Sequence, residues 1–229
     1  MTMPEFERVV RTAFAGREFT DRPVTDADVS AILDIARFAS SGGNRQGWRV
    51  VAIRSAETKS AVIDAGLDVV RRYVAQQKLG ERGFNTVEPS SVTEADIAAV
   101  NPESVQWYRN LARAPVILVI GVDLRLVASI DATLDRVGVV SGASVYPFVH
   151  NVILAAHARG MAGALTTFAV GAEGTVKELL GLPSSVALAA VVPLGYPTRA
   201  LTKLTRNPVE DFARWERWDG PPVQTLEQP

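Results

Sequence analysis

Apolar residues recur at helical spacing in the first part of the chain and later condense into short unbroken runs. In residues 5–14, Phe6, Val9, Val10 and Ala13 share one helix face. Thr25, followed three positions on by Asp28, forms a capping-box pattern. The helix it opens carries Val29, Ile32, Leu33, Ala36 and Phe38/Ala39 and stops at a Ser-Ser-Gly-Gly run. Trp48–Arg54 is rich in β-branched residues and reads as a buried strand, and residues 57–79 return to helical spacing. Ala114–Val122 and Val186–Leu194 read as two more core strands. Between them, a helix over Ser144–Arg159 is apolar on most of its circumference, Ala162–Thr167 reads as a short strand, and Thr175–Leu180 as a helix.

Strands and helices thus alternate with connections of unequal length. This predicts an α+β fold in which helices cover both faces of a central mixed sheet, in one domain over residues 1–229. No GxGxxG or Walker-type loop is present, which disfavours a Rossmann nucleotide site. Residues 80–102 collect Gly, Asn, Pro, Ser and Thr around a short helical piece at Glu94–Val100. That stretch is too long for an ordinary connection and reads as a lid-like excursion. After Gly195 the chain becomes Pro-rich, basic and aromatic, ending in a tail over about 207–229.

Composition narrows the chemistry. Lys plus Arg (24) nearly balance Asp plus Glu (25), so no overall field favours nucleic acid or an anionic membrane. The longest apolar run, Ala114–Val122, falls well short of the ~20 residues a membrane helix needs. The N-terminal residues carry charge from Glu5 onward without a signal-peptide core, so the cytoplasm is the expected location. With no cysteine, thiol nucleophiles and thiolate metal sites are excluded. The two histidines, His150 and His157, stand two helical turns apart, roughly 10 Å, which is too far to share a metal easily. No metal is expected.

The run Ser40-Ser41-Gly42-Gly43-Asn44-Arg45-Gln46-Gly47-Trp48 lies between a helix and a strand. Its glycines permit close backbone approach, and its Ser, Asn and Gln offer neutral donors and acceptors. Such a loop suits an uncharged heterocycle; a plain solvated turn is the alternative. Upstream stands Arg17-Glu18-Phe19-Thr20-Asp21-Arg22-Pro23-Val24, and near the other end Gly195-Tyr196-Pro197 and Arg206-Asn207-Pro208-Val209-Glu210. Together these motifs resemble those of the nitroreductase family, and the resemblance covers nearly the whole chain.

That resemblance implies an intertwined homodimer of the FMN-dependent nitroreductase-like fold, with two flavins at the subunit interface. Arg17 matches a basic residue at the flavin pyrimidine edge, where a cation favours the reduced, negatively charged flavin. Ser41, Gly42 and Asn44, with the backbone of Ser40, match a loop that each subunit lends to its partner's flavin. Thr166 and Thr167 match a strand whose backbone amide can hydrogen-bond flavin N5. No side chain is expected to be catalytic. The implied reaction is ping-pong, with NADH or NADPH reducing the flavin and a small electron-poor acceptor, a nitroaromatic or quinone, reoxidising it.

The chain also departs from the family pattern. Ala13, Phe14 and Ala15 replace an Arg-Arg-Ser that contributes to phosphate binding, Ser40 and Gly47 replace prolines, and Leu204 replaces a tail cation. The phosphate is therefore expected on Arg206, with Lys203 and Arg11 as substitutes. The altered motif leaves a second reading open: a flavin-binding or interaction protein of this fold with little turnover, or a flavoenzyme with another reaction.

Overall fold

The structure is a computed structural model and describes residues 3–201 and 203–224. Helix α1 spans Met3–Thr12 and α2 Asp26–Ala36; strand β1 spans Trp48–Ile53, followed by α3 (Ala56–Ala65) and α4 (Leu67–Lys78). Two short helices, α5 (Glu94–Ala98) and α6 (Gln106–Arg109), precede β2 (Val116–Asp123). Helix α7 (Tyr146–His157), β3 (Ala162–Gly163), α8 (Glu173–Leu180) and β4 (Val186–Gly195) complete the frame.

The α2 cap forms as its sequence requires: the Asp28 amide donates to Thr25 Oγ1 at 3.1 Å and the Thr25 amide to Asp28 Oδ2 at 2.9 Å. The helical stretch 57–79 is two helices rather than one. They meet at Gly66, where a Cβ would lie 2.3 Å from the Tyr108 hydroxyl oxygen. A tertiary contact thus dictates a break that local spacing does not show.

The four strands pair in the order β1-β2-β4-β3, and every ladder is antiparallel. The mixed character expected from sequence survives only as an isolated parallel bridge between Ala15 and Gly163. The short strand expected over Ala162–Thr167 is two residues of β3 plus one bridge from Thr166 to Val191. β1 is an edge strand, half-covered rather than buried, whereas β2 is buried along its whole length.

Helices cover both faces. Val116, Leu118 and Ile120 of β2 point to a core built with Val29 and Ile32 of α2 and Phe148, Val149 and Val152 of α7. Ile117 and Val119 point the other way, to Val62, Ile63, Val70 and Tyr108 from α3, α4 and α6. The period-two alternation of β2 therefore serves two cores at once. α7 already buries much of its surface within one chain, including Phe148, Val149, Val152, Ala155 and Ala156. Among the described residues, no helix is long and apolar enough to cross a membrane.

Candidate flavin site

The two ends of the sequence meet at one corner of the sheet. The Gly16 amide donates to Gly163 O (3.1 Å), the Thr20 amide to Tyr196 O (2.8 Å), and the Thr198 amide to Glu18 O (3.2 Å). Phe19 bridges Pro197, and the Arg22 guanidinium lies 3.7 Å from the centre of the Tyr196 ring. Gly16 is required here because a Cβ would meet Ala162 Cβ at 2.5 Å. These contacts form a cleft of about 290 Å³, with residues 14–18 on one side and Thr198, Arg199 and Leu201 on the other.

Arg17 and Arg199 are exposed and bring two cations to this cleft. The Arg17 guanidinium also lies 5.9 Å from the Trp107 ring, which packs edge-on to Tyr108 and Phe168. Trp107 is exposed beside Arg17, whereas Tyr108 is fully buried and belongs to the core. Arg199 was not among the residues singled out from sequence. It lies in an aperiodic stretch, and only the pairing of Pro197 with Phe19 carries it into the cleft.

The other site residues fall elsewhere. Arg206 is exposed and its guanidinium donates to Thr205 O at 2.7 Å; neither it nor the exposed Lys203 lines the cleft. Arg11 is exposed near the end of α1 and also lies outside the cleft lining. Thr166 is buried, and its amide is taken by Val191 O at 3.0 Å, so it has no free amide for a ligand. Its neighbour Thr167 is exposed, and neither residue is in the cleft lining.

The loop from Ser40 to Gly47 sits far from Arg17. The Asp123 amide donates to Gly47 O at 2.8 Å, and Trp48 pairs with Val122, at the end of β2 remote from the Arg17 corner. Val116, at the other end, pairs with Leu194 beside β3. Seven strand steps separate these ends, about 23 Å. Within the loop, Gly43, Asn44 and Gln46 have positive φ (61°, 52° and 50°). Asn44 tolerates this left-handed backbone and Gln46 less so, and such outliers mark places where structure is held for a purpose. Ser41 does the holding: its Oγ accepts from the Gln46 amide at 3.0 Å and its carbonyl from the Asn44 amide at 2.9 Å. Asp123 anchors the loop's base. Its carboxyl, held down to about 2 chiefly by hydrogen bonds from Arg125, also pairs with Arg49 at 3.5 Å.

His157 lies behind the cleft. Thr12 Oγ1 donates to Arg8 O (2.6 Å), so its contact with His157 Nε2 (2.8 Å) must be donated by the imidazole. The ring packs edge-on to Phe14, a cleft residue, at 6.0 Å. Burial first, then the Arg8 charge, lowers its pKa below the ordinary histidine value. Below about pH 6.5 the unfolded chain therefore takes up a proton that the folded one resists. Stability should fall as pH drops from 6.5 toward 5, and His157→Gln, which keeps a donor for Thr12, should flatten that slope in denaturant titrations across the range. An unchanged slope contradicts this reading. His150 is exposed on α7.

The family model described as "Nitroreductase family" matches residues 11–196. A 4-nitrobenzoate reductase from Pseudomonas putida is 22% identical, covering 94% of this chain and 97% of that protein. An NADH dehydrogenase from Thermus thermophilus is 28% identical over 87% of this chain and 90% of its own length. A nitroreductase with bound FMN from Desulfitobacterium hafniense shares the fold with a TM-score of 0.65 at 17% identity, covering 94% of this chain and all of that one. The chain belongs to the nitroreductase family, and its general role is that of an oxidoreductase.

Proposed function

We propose that this protein is an FMN-dependent NAD(P)H oxidoreductase working as a homodimer, with each flavin held between two chains. The observation that carries the reading is the separation of the Arg17–Arg199 cleft from the Ser40–Asn44 loop. Each has binding chemistry, yet they lie at opposite ends of the strands, so one chain cannot apply both to one ligand. A second copy related by a two-fold axis supplies each end with its complement. Exposed apolar residues around the loop end, Phe38, Leu124, Ile130, Val137 and Val139, give that association a surface to bury.

The donor set fits FMN. Two guanidinium groups in one cleft match a ligand that carries a phosphate and develops negative charge on reduction, and Gly16 lets backbone approach closely. Arg199 stands opposite Ala15, where the usual phosphate-binding side chains are missing, and takes the phosphate. Arg17 holds positive charge at the pyrimidine edge, Trp107 walls the site, and the Thr167 amide faces the flavin edge. The partner's loop contributes the Ser41 and Asn44 groups and the Gly42 backbone. When bound, the flavin would accept hydride from a reduced nicotinamide and pass electrons to an electron-poor acceptor in a ping-pong cycle. The names of the Pseudomonas and Thermus relatives support a nitroaromatic acceptor and NADH as donor.

In this reading residues 80–102, a pinned loop, cover the flavin's open face. Glu81 accepts from the hydroxyls of Ser90 and Ser91 (both 2.6 Å), and Arg72 pairs with Glu94 at 2.8 Å. Deleting residues 83–91 should change acceptor preference while FMN stays bound; loss of folding would make the segment structural instead.

The test is direct. Purified protein should show flavin absorbance that bleaches with NADH or NADPH under anaerobic conditions. The apolar Ala13-Phe14-Ala15 floor favours one other reading, a flavin-binding protein with little turnover, and colour without bleaching would select it. No colour after FMN addition contradicts both.

A further inference from the structure

A cavity of about 660 Å³ lies between α4 and the excursion that carries α5, and it shares no lining residue with the Arg17–Arg199 cleft. That volume suits a small organic molecule. Its apolar wall is formed by Val69 of α4, Ile97 and Ala98 of α5, and Val100 and Pro102 beyond them. Gly171 also lines it, and a Cβ there would lie 2.5 Å from Val69 Cγ2, so a side chain would push the two segments apart.

Phe84 completes the apolar lining in a left-handed backbone conformation (φ 54°), which a bulky residue adopts only under constraint. The constraints are specific. The Phe84 amide donates to Oε1 of the buried Gln76 at 3.1 Å, and Gly83 lies so close to the Tyr73 ring that a Cβ would come within 2.3 Å of it. The loop thus holds Phe84 at the cavity.

The charges at the cavity are unevenly placed. The side chains of Arg71 and Arg72 are 34% and 38% exposed, and those of their partners Asp68 and Glu94 87% and 86%. The cations therefore belong to the wall, while the carboxylates stand in water. Each guanidinium gives one hydrogen bond to its partner, at 2.7 and 2.8 Å, and among the described residues its other N–H groups are unclaimed. Exposed pairs of this kind are weak, so a carboxylate in the drier cavity can take a guanidinium over. Arg71 and Asp68 belong to one helix turn, whereas Arg72 reaches across to α5 for Glu94. Arg72 is the cation a ligand can claim.

We propose that this cavity is a second small-molecule site, for a monocarboxylic acid with an apolar body. The body lies between Val69 and Ile97, and the carboxylate takes Arg72 in place of Glu94. With Asp68 and Glu94 nearby, one negative charge is matched, whereas a phosphate dianion would be overcompensated. The proposal stands whether or not the cleft takes FMN.

Cinnamate is the probe and cinnamamide its uncharged isostere, each titrated calorimetrically into the full chain with FMN in excess. Cinnamate should bind at least about tenfold tighter than the amide. Arg72→Gln should weaken cinnamate about 10- to 150-fold, the range of one charge-assisted hydrogen bond, and change the amide less than about twofold. Glu94→Gln removes the competing carboxylate and should tighten cinnamate about two- to fivefold, a gain that a purely structural ion pair would not give. Ala98→Trp fills the cavity from an exposed position and should abolish binding of both probes. Equal affinity for acid and amide, or an unchanged cinnamate Kd in Arg72→Gln, overturns the proposal, as does a wild type that binds no cinnamate. Binding that survives Ala98→Trp, or that disappears when Arg17 and Arg199 are both changed to Ala, places the probe elsewhere and overturns it too. A chain that takes up no FMN yet shows the expected pattern contradicts the cofactor reading and supports this site.

Discussion

Arg199→Ala should weaken FMN binding by roughly 10- to 150-fold, the equivalent of about 1.5–3 kcal/mol for a charge-assisted hydrogen bond. The expectation follows from position. Arg199 reaches the cleft because the Thr198 amide bonds Glu18 O and Pro197 pairs with Phe19, and it faces the segment in which Ala13, Phe14 and Ala15 supply no cation. Riboflavin is the internal control: without a phosphate it should bind wild type and Arg199→Ala about equally. Arg206→Ala should cost less, since its guanidinium rests on Thr205 O outside the cleft lining. If Arg206→Ala instead abolishes FMN binding while Arg199→Ala leaves it intact, the tail folds onto the phosphate in the loaded protein and the assignment reverses. Arg17→Ala should mainly lower the flavin reduction potential, since it removes positive charge that favours the reduced form.

Gly16→Ala is the second large effect. The added methyl would lie 2.5 Å from Ala162 Cβ, with Ala162 backbone atoms at 3.5 Å, in a place where neither partner is the end of a flexible side chain. Overpacking of this kind costs about 1–3 kcal/mol. The strain falls on the Ala15–Gly163 bridge and the bond from the Gly16 amide to Gly163 O, which together set where Arg17 stands. The variant should fold with a lowered denaturant midpoint and hold FMN poorly. Full FMN affinity in Gly16→Ala would show that Arg17 does not depend on this contact.

The sequence reading succeeded where the determinant is local. The Thr25–Asp28 capping box, the two-faced apolar run of β2 and the Gly-rich turn after α2 each depend on residues within a few positions. It went astray where tertiary partners decide. The split of α3 from α4 at Gly66 is set by the phenol of Tyr108, 42 positions later by subtraction of their numbers. β1 has the composition of a buried strand, yet pairing on one side alone makes it an edge. Strand direction was equally hidden, because irregular connections allow either hand and only the ladders show that all three are antiparallel. Within the site, the motifs around Arg17 and Ser41 were legible as motifs. That they lie at opposite ends of the sheet was not, nor was the part of Arg199, which has no motif.

Whether one site is built from two chains is the central claim, and mixing two damaged chains measures it most directly. One chain carries Arg17→Ala and Arg199→Ala, and the other carries Ser41→Ala and Asn44→Ala; each alone should bind little FMN. In random heterodimers, one site collects all four substitutions and the other is intact. Half of the dimers in an equal mixture are then mixed, so refolding or co-expressing the two should restore about one quarter of wild-type flavin binding. Restoration to about that level is the result expected. FMN content no higher than in the separate variants would contradict the shared site.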